Sequence, residues 1–373
     1  MQHWGIHWMI DRISKEAKIT ESPLTLRPFC ENDVPGLCDL YARVWGARLD
    51  DAYWRWKYIT PPFKTIANVV EAPDGKIVAF TGLWVRSIRV RGKTYSSYQV
   101  VDVMADPKYR GGVAFGWIMD LLMDLVVKQK VILYGFTNDV SHVVFRKKLE
   151  GYILLDIERP LMSLILNPGK LIKAPGKIRA AAGFVTKSII NARMAFVSER
   201  CISVELAETL PDGIEQLWDA VKDDYSFRLI PGPDYLRWRF QSARDGYQIW
   251  VARENNCLAG YMVTSLKKRE DKIKGYLVDW MFPRDTPHIY RALMKQALHW
   301  FMQQETNVVE TLLINDQDPI LNALKSFFFV KGRRRKTFLL GCADPARYQM
   351  DHISTQDIFI SRGDSDFSTI YFS

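Results

Sequence analysis

No stretch of this 373-residue chain runs to 18 consecutive apolar residues, so nothing in it is written to cross a membrane as a helix. Cysteine is scarce: Cys30, Cys38, Cys201, Cys257 and Cys342 are odd in number, scattered and without CxxC spacing. That pattern excludes a disulfide framework and a readable zinc site, and it points to reduced thiols in a cytoplasmic protein. The N-terminus, MQHWGIHWMIDRISKEAK, lacks the basic start and long apolar core of a signal peptide. Acidic charge is missing from two places, Pro107 to Met119 and Pro168 to Arg193. The first holds adjacent glycines, Gly111 and Gly112, yet continues neither as Gly-Lys-Ser/Thr nor as GxGxxG, which removes most support for a nucleotide triphosphate or a dinucleotide.

What is there is a folded composition, 48% hydrophobic and 25% charged, in a chain long enough for two domains. A net charge of +9 favours an anionic partner without choosing among cofactor, nucleic acid, glycan or membrane, and no nucleic-acid module accompanies it. The most informative stretch is Tyr98 to Val127. Val100, Val101, Val103 and Met104 make a short strand that Asp106-Pro107 stops, a basic loop with Arg110 follows, and Ile118, Leu121, Leu122, Leu125 and Val126 mark one stripe of a helix. A glycine loop opening into a helix turns backbone N–H groups toward an anion where the helix dipole also favours one; a plain change of direction is the competing explanation.

The second half repeats the first. YWRWKY at 53–58 returns as YLRWRF at 235–240, and VVDVMADP at 100–107 returns as LVDWMFPR at 277–284. Each first motif lies behind a helix (Gly36 to Val44; Ile214 to Val221) and ahead of a strand pair, and each second motif precedes a helix and a strand. Strands at Lys76 to Val85 and Ser87 to Val90 and a helix at Val140 to Leu149 complete the front copy. The layout is α+β: two tandem domains, each a mixed, mostly antiparallel sheet flanked by helices. The segments are a leader (1–23), a front domain (24–160), a basic connector (161–202), a second domain (203–345) and a tail (346–373). Only the front copy has the glycine loop; the second has RDTPHIYRAL there. The connector is basic and amphipathic, which suits either a helix docked on one domain or peripheral contact with an anionic membrane.

This order of elements resembles the GNAT superfamily of N-acyltransferases, and the YWRWKY element with its tandem arrangement is similar to two-domain members linked to cell-envelope polysaccharide modification. The family's loop reads Gln/Arg-x-x-Gly-x-Gly/Ala and wraps the pyrophosphate of acetyl-CoA; Arg110-Gly111-Gly112-Val113-Ala114 fits it one residue short. The resemblance implies an acyl-CoA co-substrate held by that loop, by the backbone of Val103 to Ala105, including Met104, and by Asn138. It implies acyl transfer to a small-molecule or glycan amine, with Asp102 the nearest carboxylate on the central strand to take the amine's proton. Asp279 stands at the same place in the other copy, and Phe145 stands where the family has its tyrosine acid. His142 and Glu71 are lesser candidates for proton transfer, and Trp54, Trp56 and Trp238 read as packing before sugar stacking. An aminoacyl-tRNA-dependent transferase of the peptidoglycan-bridge kind and a catalytically silent binding protein are the competing functions.

Overall fold

The computed structural model describes residues 23–110, 112–171, 175–197, 201–241, 246–270, 272–313 and 320–365. It falls into two compact units, one of Met1–Ile88, Tyr95–Asp156 and Phe338–Asp351, the other of Arg89–Thr94, Ile157–Thr337 and His352–Ser373. Most of the expected leader lies outside the described residues. The segment ends expected at 160 and 345 fall close to strands that the division crosses, 153–165 and 330–341, so each unit draws on non-contiguous chain.

In the first unit, β1 (Thr25–Pro28) leads to α1 (Val34–Trp45) and α2 (Asp51–Tyr58). Asp50 starts α2 by accepting from the Tyr53 amide at 2.7 Å. The YWRWKY run is therefore helical, and Tyr53, Trp54, Lys57 and Tyr58 form its buried stripe. β2 (Thr65–Glu71), β3 (Ile77–Val90) and β4 (Lys93–Ala105) follow; β3 is one continuous strand where the sequence suggested two, because Arg86 and Ser87 interrupt the apolar pattern without breaking the ladder. α3 (Val113–Val127), β5 (Ile132–Thr137), α4 (Asp139–Lys148) and the start of β6 (Ile153–Ile165) complete it. The order is β1-β2-β3-β4-β5, with β1, β2 and β3 antiparallel and β4 parallel to β5.

One face of this sheet packs on α3, whose expected stripe of Ile118, Leu121, Leu122, Leu125 and Val126 is wholly buried with Val70, Ala79 and Leu83. The opposite face carries an aromatic cluster in which Trp54 stacks on Tyr58 and both meet Phe80. Each such side chain removed from water contributes about 2 kcal/mol, so both faces hold the sheet.

The second unit repeats the scheme. Its first strand after the connector is β7 (Ile202–Ala207), which pairs antiparallel with the strand at Gln248–Glu254. The connector contains α5 (Gly176–Ala195); after β7 come α6 (Ile214–Val221), β8 (Phe227–Leu229), α7 (Pro233–Phe240), β9 (Gln248–Glu254), β10 (Cys257–Arg269) and β11 (Lys272–Met281). Then α8 (Pro287–Gln303), β12 (Val308–Leu312), α9 (Leu321–Ser326), β13 (Val330–Gly341) and β14 (Ile358–Phe359) follow. β9, β10 and β11 are antiparallel neighbours, and β11 is parallel to β12. All five cysteines are unpaired. Among the described residues no helix is long and apolar enough to cross a membrane.

Candidate active site

The parallel pair β4/β5 does not close along its whole length. Its register runs Ser97↔Ile132 to Val100↔Gly135 and stops, so among the described residues β5 gives β4 no ladder partner beyond Val100. Unpaired strand backbone beside a diverging neighbour is a slot that can bond an extended ligand. At the point of divergence Asp102 takes a left-handed conformation, φ +50°, inside the strand. A non-glycine residue held there marks local strain that its surroundings must sustain.

Those surroundings are α2 and β3. The Asp102 carboxylate accepts a hydrogen bond from the Tyr58 hydroxyl at 2.7 Å and forms an ion pair with Lys57, whose side chain is buried. Gly82 on β3 makes this possible, since a Cβ there would fall 2.3 Å from the Tyr58 ring. The Lys57 ammonium also sits 5.6 Å from the Tyr53 ring centre and 5.7 Å from that of Trp84. Asp102, expected as a free base, is thus anchored. Lys57 and Tyr58 were not singled out from the sequence, where a lysine among aromatics reads as exposed. The available signal was Arg239, which occupies the same place in the repeat and is likewise buried.

Met104 and Ala105, buried, end β4, and the Asp106 amide ties it to β3 by donating to Val78 O at 2.8 Å. The Asp106 side chain caps the short turn Pro107–Tyr109 and pairs with Arg43 at 2.6 Å and Lys76 at 3.3 Å. Burial pushes its carboxyl upward, but the Lys108 amide, Arg43 and Lys76 together hold it below the usual range. The loop's anchor therefore stays ionised at neutral pH.

The glycine loop differs from the expectation in one respect. The Gly112 amide is engaged, donating to Tyr109 O at 3.3 Å, because the capped turn folds the chain back on itself; Gly111 lies outside the described residues. Gly112 is the N-cap of α3 and no side chain caps that helix. The amides without an intrahelical partner begin one residue further on in the first turn, at Val113, which is exposed, whereas Ala114 is buried. Lys108 and Arg110 are exposed beside them, and Arg110 makes no ion pair among the described residues.

At the end of β5 the Thr137 hydroxyl is buried without a protein partner. Asn138 caps α4, accepting from the Ser141 amide at 2.8 Å while Ser141 Oγ accepts from the Asn138 amide at 3.0 Å. Its Oδ1 is committed to structure, and its Nδ2 is left for another acceptor. Phe145 is buried in the core, His142 pairs with Asp156 at 3.1 Å, and Glu71 pairs with Arg27 at 2.6 Å, so these three have structural employment. Trp54 is fully buried and offers no stacking surface.

In the second unit the corresponding gap is filled. The β11/β12 register ends at Tyr276↔Glu310, and the chain's own tail lies past it. The Gly363 amide donates to Val278 O at 2.8 Å, the Tyr235 hydroxyl donates to Gly363 O at 3.2 Å, and Arg239 donates to Ser365 O at 3.2 Å. The Arg362 guanidinium lies 4.2 Å from the Tyr276 ring centre. The Gly363-Asp364-Ser365 turn is closed locally, since Asp364 accepts from the Ser361 amide at 2.8 Å. Asp279, the counterpart of Asp102, is enclosed there with a hydrogen bond from Tyr261 at 2.8 Å, and burial with the nearby Asp364 carboxylate raises its pKa to about 6.

Residues 25–137 match the family model for the acetyltransferase (GNAT) domain. The front unit carries a GNAT domain. Over most of the chain the fold is similar to that of solved N-acyltransferases, a tandem GNAT protein among them. N-myristoyltransferase of Saccharomyces cerevisiae, solved with myristoyl-CoA, superposes with a TM-score of 0.59 at 14% identity over 86% of this chain and 79% of that one. A GCN5-related N-acetyltransferase from Anabaena variabilis gives 0.59 at 11% over 85% and 72%. A tandem GNAT protein from the clavulanic acid biosynthesis pathway gives 0.54 at 16% over 86% and 98%. No curated protein matches the sequence.

Proposed function

We propose that the chain is an N-acyltransferase whose front GNAT domain binds an acyl-CoA, with acetyl as the acyl group, and whose acceptor is an amine, an amino sugar of a cell-envelope polysaccharide being the class to test first. One observation carries the reading: in the same unit, a β4 edge released past Val100 meets an uncapped helix start beside unpaired Arg110. The yeast enzyme solved with myristoyl-CoA shares the fold. The amino-sugar acceptor rests on the resemblance of the tandem arrangement and draws nothing from Tyr53, Trp54 and Tyr58, which α2 turns inward, while Trp56 is half-buried.

The residues present fit such a co-substrate. Arg110, Gly111, Gly112, Val113 and Ala114 would form the loop that holds its diphosphate, the exposed Val113 amide by a hydrogen bond and Arg110 by charge. Met104 and Ala105 would line the slot with backbone, and Thr137 and Asn138 Nδ2 offer polar atoms on its far side. The bound group supplies a thioester carbonyl as electrophile. An amine of pKa about 10 must lose a proton before it attacks. Asp102 is the nearest carboxylate, but with Lys57 and Tyr58 on it we assign it first to holding the strained turn of β4 and so aiming the backbone that polarises the carbonyl. Phe145 can donate no proton, so the thiolate leaves without a side-chain acid.

The test is transfer of labelled acetyl from acetyl-CoA to a panel of amino sugars, other amines and no acceptor, run beside labelled aminoacyl-tRNA. Label on an amine from acetyl-CoA supports the reading. Label only from aminoacyl-tRNA, or no CoA binding by folded protein, defeats it.

A further inference from the structure

Helix α5 has two apolar faces, and only one is used. Ile190 and Met194 are buried in the second unit's core, and Gly183 sits so close to Asn167 that a Cβ would fall 2.9 Å from its Oδ1. Arg193 donates to Ser326 O at 2.8 Å and lies over the Phe327 ring. These contacts fix the helix in rotation. The outward face should then be polar, as on an ordinary surface helix. Instead Ile178, Val185 and Ile189 are 56%, 53% and 52% exposed, with Phe184 at 73% and Phe196, just past the last turn, at 82%. At 100° per residue, Ile178, Val185 and Ile189 fall within a strip roughly 40° wide, so they form one ridge along the helix.

The charge around this ridge has one sign. Between Glu158 and Glu199 the chain has no acidic residue, while Lys177 and Arg179, both exposed, lie roughly 100° to either side of Ile178. An apolar strip flanked by cations matches the boundary between acyl chains and anionic headgroups. It does not match a second copy of itself, which would set cation against cation, nor a nucleic acid, which has no use for the ridge.

We propose that the outward face of α5 docks on an anionic membrane surface, with Ile178, Val185 and Ile189 in the headgroup boundary and Lys177 and Arg179 against lipid phosphates. The helix lies in the interface and does not cross it. The docking is independent of the acyl-transfer reading: it would bring whatever chemistry the chain performs to the membrane surface.

The experiment is co-sedimentation of the full chain with phosphatidylcholine vesicles, with and without phosphatidylglycerol, at low and high salt. Binding is expected with phosphatidylglycerol, about tenfold or more weaker without it, and weakened by salt. Ile178→Ser/Val185→Ser/Ile189→Ser should lose binding about tenfold or more while its melting temperature and CoA affinity stay at wild-type values, since none of the three is in the core. Lys177→Glu/Arg179→Glu should abolish the preference for phosphatidylglycerol. Folded wild type that ignores both vesicles, or a triple Ser variant that binds as well as wild type, overturns the proposal. So does a wild-type dimer that the triple Ser variant converts to monomer without vesicle binding, which would make the ridge a self-contact. CoA affinity is measured on the same samples, so failure of the donor site and failure of docking are read separately.

Discussion

Arg110, like Lys108 beside it, is a side chain at the mouth of α3 with no ion pair among the described residues, and reversing it should be felt only by a ligand. Arg110→Glu is expected to weaken acyl-CoA binding by about tenfold or more with an unchanged melting temperature, checked by titration calorimetry and thermal unfolding. Lys57 is the opposite case. Lys57→Met removes one member of a buried pair and leaves the Asp102 carboxylate with only the Tyr58 hydroxyl, so a loss of about 3 kcal/mol in urea unfolding is expected. Asp102→Asn separates positioning from base catalysis: a positioning role lowers stability and donor affinity together and leaves the pH profile of kcat/KM in place, whereas a base would take its acidic limb with it. Asp102 was legible as a candidate because it stands on the central strand and recurs as Asp279. Its partners were not, because 44 residues separate Tyr58 from it and only folding brings α2 beneath β4.

At the scale of elements, periodicity located the strand, loop and helix at 98–127, and the repeat located their counterparts, since long apolar stripes survive any tertiary context. α2 was harder: its aromatic and basic residues follow neither a strand nor a clean helical pattern until Asp50 is seen to cap it. The Gly112 amide also escaped notice, because its engagement depends on a turn closed by Arg43 and Lys76 from other elements. Two substitutions test element-level claims. Asn138→Ala should cost about 1 kcal/mol by uncapping α4, and a further loss of CoA affinity would show that Nδ2 serves the ligand as well. Gly363→Val would place a Cβ 2.8 Å from Phe240 and 3.0 Å from Asp279. It is expected to unseat the tail, costing about 1–3 kcal/mol and opening Arg362 to trypsin, which wild type should resist.

Across the whole molecule, one sequence motif has been folded twice and kept for two purposes. In the front unit the slot is open at β4; in the second the tail occupies it, a difference hinted at by the missing glycine loop but carried by contacts between Val278 and a glycine 85 residues away, beyond any local pattern. The filled slot has a pH signature. Asp279 holds its proton up to about pH 6 in the folded chain but releases it near the ordinary 3.8 when unfolded, so its contribution to stability falls between those values and is constant above them. Asp279→Asn should flatten that slope, worth at most about 3 kcal/mol, in unfolding measured from pH 4 to 7. The most direct measurement is calorimetric titration of the full chain with acetyl-CoA, wild type beside Arg110→Glu. One equivalent bound per chain, lost or weakened about tenfold or more in Arg110→Glu, is the expected result. Two equivalents, none with folded protein, or an affinity indifferent to Arg110 would contradict a single donor site at the start of α3.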